Sequence, residues 1–147
     1  MTGQTRRIAD ELWLAGVGWF GITPYDAPGE ADLEPVCNEV CRQVGCLVSP
    51  SGRLILLTHY PALLGGLFPL AGYAAGGILN CVRLLIEVLK PVAVVQGHVH
   101  EWFATSAEYE YAGGRSLIVN PGPRGAVLNI DLRTGRASCK FRVGDSP

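Results

Sequence analysis

Hydrophobic residues along the chain fall into short blocks with two different spacings. Leu12 to Val17 is an apolar run closed by Gly18 and reads as a strand. Leu33 to Val44 places apolar residues at 33, 36, 37, 40, 41 and 44, which is helical spacing, with Asp32 placed to cap the start. Arg53 to Thr58 carries Leu54, Ile55, Leu56 and Leu57 in a row between turns, as expected of a strand buried on both faces. Leu79 to Leu89 is helical in period and stops at Lys90-Pro91. Val92 to Val95 and Ser116 to Val119 are two further apolar strands. Gly125 to Leu132 and Ala137 to Val143 read as a closing hairpin around Thr134-Gly135. Residues 1–10 are polar and show neither a strand pattern nor an apolar signal core. The order predicts a single α/β domain over residues 1–147, with a mixed β-sheet and flanking helices.

Composition narrows the class. At 147 residues, with 48% hydrophobic and 17% charged positions, the chain suits one globular core. A net charge of -1 without charge runs gives no reason to expect nucleic acid or an anionic membrane as partner. Residues 62–78 are apolar but contain five glycines and Pro69, and are shorter than the ~20 residues a membrane span requires. That segment reads as a loop or cap. The five cysteines lack a C-x-x-C pair and read as small apolar residues of a reducing, cytoplasmic protein.

The candidate chemistry lies in three histidines: His59, His98 and His100. Each follows the end of an apolar strand, where α/β sheets place their sites. His98 and His100 are one residue apart, and in extended backbone they would point the same way. Gly97 would let the backbone turn beside them. Imidazole is a common ligand for zinc, iron and manganese. Tyr60 and Arg124 lie beside these motifs, and the forked donors of Arg suit phosphate, although a solvated turn Arg is the plainer reading.

Thr58-His59-Tyr60-Pro61, Gly97-His98-Val99-His100 and Asn120-Pro121-Gly122, preceded by Leu14-Ala15-Gly16-Val17-Gly18, resemble the calcineurin-like metallophosphoesterases in order and spacing. The resemblance covers residues 12–132. It implies the C-terminal half of a four-layer sandwich whose dinuclear site hydrolyses phosphate esters. The metals would be divalent Mn, Fe or Zn, and the substrate a phosphorylated small molecule or a phosphodiester. By similarity, His59 and His98 would ligate one metal and His100 the other. Asn120-Pro121-Gly122 would form the turn into the closing strands.

The family's Asp-x-His, Gly-Asp-x-x-Asp and Gly-Asn-His-Asp/Glu motifs are absent from this sequence. The aspartates Asp10, Asp26, Asp32, Asp131 and Asp145 do not replace them. Two cations ~3.5–4 Å apart need a bridging carboxylate, which three neutral imidazoles do not supply. The chain by itself is expected to hold at most one ion, weakly, as the truncated half of a site. Strand runs that want cover on both faces predict self-association or a second chain over the exposed sheet. The alternative is a non-catalytic relic acting as a binding or interaction module.

Overall fold

The computed structural model describes residues 3–18, 30–49, 51–62, 80–99 and 103–142. Its element order is β1 (Gly3–Ala9), β2 (Leu12–Val17), α1 (Glu30–Leu47), β3 (Arg53–Thr58), α2 (Asn80–Leu89), β4 (Ala93–Val95), β5 (Thr105–Tyr111), β6 (Gly114–Asn120), β7 (Ala126–Asp131) and β8 (Arg136–Phe141). Six strands form one mixed sheet in the order β1-β2-β3-β4-β6-β5, and β7-β8 form a separate two-stranded sheet. The central run β2-β3-β4-β6 is parallel, and each edge strand is antiparallel to its neighbour. This is the mixed α/β architecture that the strand and helix spacing implies.

The pleat assigns the two faces of the sheet. Ala15 and Val17 of β2 share a face with Leu54 and Leu56 of β3, Val94 of β4 and Ile118 of β6. All six belong to one buried cluster with Leu33, Val36 and Val40 of α1 and Val82, Leu85 and Ile86 of α2. Both helices therefore cover the same face. The opposite face carries Leu14, Gly16, Ile55, Leu57, Ala93, Val95, Leu117 and Val119. The β7-β8 hairpin covers part of it, held by the Arg53 guanidinium, which donates to Leu132 O at 3.0 Å and Arg133 O at 3.2 Å. Ile55, Ala93 and Val119 are buried there. Toward the C-terminal ends of the strands the cover stops, and Leu57 is 45% exposed while its chain neighbour Leu56 is fully buried.

The first strand is a correction to the reading of residues 1–10 as strandless. Arg6 and Arg7 hide it in the sequence, because an edge strand keeps its charges in water. Its free edge is closed by α1. The Gln43 carboxamide accepts from Thr5 N at 2.9 Å and donates to Gly3 O at 3.2 Å, in place of a further strand. Gly3 permits this approach, since a Cβ there would stand 2.6 Å from Val40 Cγ2. Asp32 lies inside α1 rather than at its cap, because the helix already runs at Glu30. β5 also escaped the apolar pattern. It alternates Ala107, Tyr109 and Tyr111 toward the helices with Glu108 and Glu110 outward.

The hairpin turn is built by Asp131, whose Oδ1 accepts from Arg133 N and Thr134 N, with Gly135 at φ 70°. Cys37 and Cys81 are buried, as suits small apolar residues, whereas Cys46 is exposed. No helix among the described residues is long and apolar enough to cross a membrane. The loop or cap expected over residues 62–78 lies, apart from its buried first residue Ala62, outside the described residues.

Two adjacent substitutions on β3 test the two-faced reading. Leu56→Ala should cost about 2–5 kcal/mol, as a fully buried aliphatic truncation does. Leu57→Ala should cost under about 1 kcal/mol, because its face is open. Chemical denaturation measures both, and equal losses would contradict the uncovered face.

Candidate functional site

The site lies past the C-terminal ends of the central parallel strands. β3 ends at Thr58, and its hydroxyl donates to Tyr60 O at 2.8 Å, folding the chain back directly after His59. β4 ends at Val95, and Gly97 N donates to His59 O at 3.1 Å, so the two post-strand segments are tied by main chain. Parallel neighbours with such a tie bring their next side chains together. The His59 and His98 ring centroids are 5.4 Å apart, with ring planes at 77°.

His98 reaches this position through left-handed backbone, with φ 67°. Two expectations change as a result. The segment is not extended at His98, so strand alternation does not aim this ring. Gly97 is not the special turn residue either: its φ is not positive, and a Cβ there would meet His59 Nδ1 at an ordinary 3.5 Å. The left-handed conformation of a non-glycine residue costs of order 1–3 kcal/mol and persists where surrounding bonds hold it. Here Val99 N donates to Gly97 O at 2.8 Å, and the buried Asn120 Nδ2 donates to Val99 O at 3.2 Å.

Asn120 is the last residue of β6 and is fully buried. The sequence marked Asn120-Pro121-Gly122 as a turn, and Gly122 does take φ 67°. What was missed is the inward role of the Asn120 amide. Its signal was the helix-facing register of 116, 118 and 120, which places a polar side chain under the site. Gln96 is also buried, and neither of its amide atoms has a hydrogen-bond partner among the described residues.

His59 is exposed and borders an open cleft of about 480 Å³ that also touches Gly16, Val17, Leu57, Val95 and Gln96. The cleft is therefore the uncovered end of the second sheet face, running up to the first histidine. Tyr60 is 8% exposed, with its ring against both imidazoles, and burial raises its phenol pKa, keeping it neutral. Arg124 is exposed in the turn after Gly122. His100 lies outside the described residues.

The pair fits a shared ion in its spacing. Two imidazole nitrogens at about 2.1 Å from one metal, at a near-tetrahedral angle, put the ring centroids roughly 5 Å apart. Imidazole nitrogen suits Zn, Fe and Mn. Both donors are neutral, so they offset none of a second cation's charge. No group of three or more His, Cys, Asp or Glu able to hold a metal occurs among the described residues.

No family model matches the chain. No curated protein matches it either. Among solved structures, one crystal structure has a TM-score of 0.58, with 17% identity over 94% of this chain and 52% of its own. Another, the crystal structure of TT1561 of Thermus thermophilus, is 20% identical over 88% of this chain and 53% of its own. Its TM-score of 0.47 carries no argument. The first likeness shows the α/β fold alone. The chain spans about half the length of the solved chains it matches.

The strained turn makes a stability prediction. His98→Val should lose at least about 1 kcal/mol, because a β-branched residue resists φ 67°. His98→Gly should be more stable than His98→Val, since both lose the imidazole but glycine adopts that backbone freely. Denaturant midpoints decide, and a valine variant as stable as the glycine variant would refute the strain. Asn120→Ala should cost about 1–3 kcal/mol by leaving Val99 O unpaired. A loss under about 0.5 kcal/mol would show the bond to be idle.

Proposed function

We propose that this chain supplies half of a calcineurin-like metallophosphoesterase site, in which His59 and His98 hold one divalent ion. The observation that carries the reading is the convergence of those two rings at 5.4 Å past the ends of adjacent parallel strands. The resemblance of Thr58-His59-Tyr60-Pro61, Gly97-His98-Val99-His100 and Asn120-Pro121-Gly122 to that family supports it. His100 follows His98 closely enough in the chain to serve the second ion of a pair.

In such a site, bound divalent ions supply an activated water and neutralise phosphate oxygens. The chain's own part is to present two imidazoles in fixed relation. The main-chain tie between Gly97 and His59 sets their separation, and the Asn120 amide holds the turn that carries His98. The substrate class is a phosphate ester, either a phosphorylated small molecule or a phosphodiester.

The carboxylates that a metal pair needs would come from a polypeptide seated on the open end of the sheet. The cleft supports this reading, because it is apolar around Leu57 and Val95 and ends at His59. Whatever covers it brings its own side chains beside that imidazole. At the edge beyond β1, Gln43 already occupies Thr5 N and Gly3 O. A second copy or a different chain in that place predicts a particle larger than one chain in light scattering. A monodisperse monomer at all concentrations would count against self-association.

A second reading is a relic that binds without catalysing. The histidine pair lacking any carboxylate partner motif in the sequence favours it. Metal analysis with a chromogenic phosphodiester assay separates the two. The chain by itself should take up at most one Zn or Mn per chain, weakly, with uptake lost in His98→Ala. Metal-dependent turnover that His98→Ala abolishes marks the enzyme, and uptake without turnover marks the binding module. Equal uptake by parent and His98→Ala would sink the metal-site reading itself.

A further inference from the structure

The geometry points to Tyr60 as a positioning residue that locks the His59 and His98 imidazoles into one arrangement through its ring. This inference rests on the metal-site reading above but concerns a residue outside the ligand set.

Tyr60 is placed with unusual constraint on both sides. Its carbonyl accepts the buried Thr58 hydroxyl at 2.8 Å. It precedes Pro61, which is itself fully buried and restricts Tyr60 to extended backbone. With main chain fixed and the side chain 8% exposed, the ring has little freedom. It stands edge-on to His59, with centroids 4.9 Å apart and planes at 82°. It also lies against His98, at 4.8 Å and 53°. One aromatic ring thus contacts both imidazoles, whose own separation is 5.4 Å.

These are the offset and edge-to-face distances at which aromatic rings attract. The need for them follows from the neighbours. His59 is exposed, so burial does not fix the orientation of its ring. His98 sits on a left-handed residue, where the backbone does not lock the side chain in a helix or strand rotamer. Two neutral donors bind an ion tightly only if little ordering remains to be done on binding. The buried Tyr60 ring does that ordering in advance.

The experiment uses the whole chain and two readouts. In the metal-free protein, nuclear Overhauser contacts between the His59 and His98 ring protons report the pairing. Titration with Zn²⁺ alone reports affinity. Tyr60→Phe should preserve the ring contacts and bind Zn²⁺ as the parent does. Tyr60→Leu should lose the contacts and bind at least about 10-fold more weakly, the scale on which supports of metal ligands act. Tyr60→Met, apolar and flexible, replaces it if leucine unfolds the chain. Retained contacts in the leucine or methionine variant would overturn the inference, as would a Tyr60→Phe variant that behaves like them. If contacts follow the ring but the parent binds no Zn²⁺, the positioning stands and the metal-site reading falls.

Discussion

The structure depends on a sheet whose central strands are apolar on both faces and whose two helices cover only one of them. Leu54, Leu56, Val94 and Ile118 meet α1 and α2, and this contact forms the core. On the reverse face the β7-β8 hairpin covers one end, tied down through Arg53. The remaining end, around Leu57, stays open and forms the cleft that reaches His59. Burial on one face at about 25 cal/mol per Å² is what holds the sheet together, and the open end retains apolar surface for an additional layer.

That asymmetry also places the chemistry. β3 and β4 are parallel, with Leu57 beside Val95 near their ends, so they release their following residues side by side. The Gly97–His59 main-chain bond then joins the two releases, and Asn120 supports the second from below. On the proposed reading, one half of a dinuclear site is thereby built with little more than strand ends, a left-handed histidine and a buried amide. Its donors are neutral, which suits one ion and leaves a second uncompensated. Under the proposed function, a covering polypeptide would meet both the apolar cleft and the missing negative charge.

The sequence carried the fold where burial was strong. β2 and β3 were legible to the residue, because aliphatic runs bounded by turns leave few alternatives. α2 and the closing hairpin were legible for similar reasons. β1 was not, because its charges belong to an edge and its stability comes from Gln43 on a distant helix. β5 was hidden by glutamates that alternate with tyrosines, a period-two signal without an apolar run.

At the site, the placement of His59 and His98 after strand ends was legible, and their meeting was implied by the family resemblance. The backbone that achieves it was not. Glycine is the default expectation for a left-handed residue, yet here His98 takes that role and Gly97 does not. Tyr60 was read only as a neighbour of the histidine motifs and Asn120 as a turn residue, because the sequence does not show which way a side chain points once the strand has ended. Their burial places both within the frame that holds the imidazoles.

In the proposed site His59 and His98 share one ion, which X-ray absorption at the zinc edge of the Zn²⁺-loaded chain can read. A shared ion gives outer-shell scattering from two imidazoles, with Zn–N distances of about 2.0–2.1 Å, falling to at most one imidazole in His98→Ala. A zinc shell of oxygen alone, or one unchanged by that substitution, would contradict it.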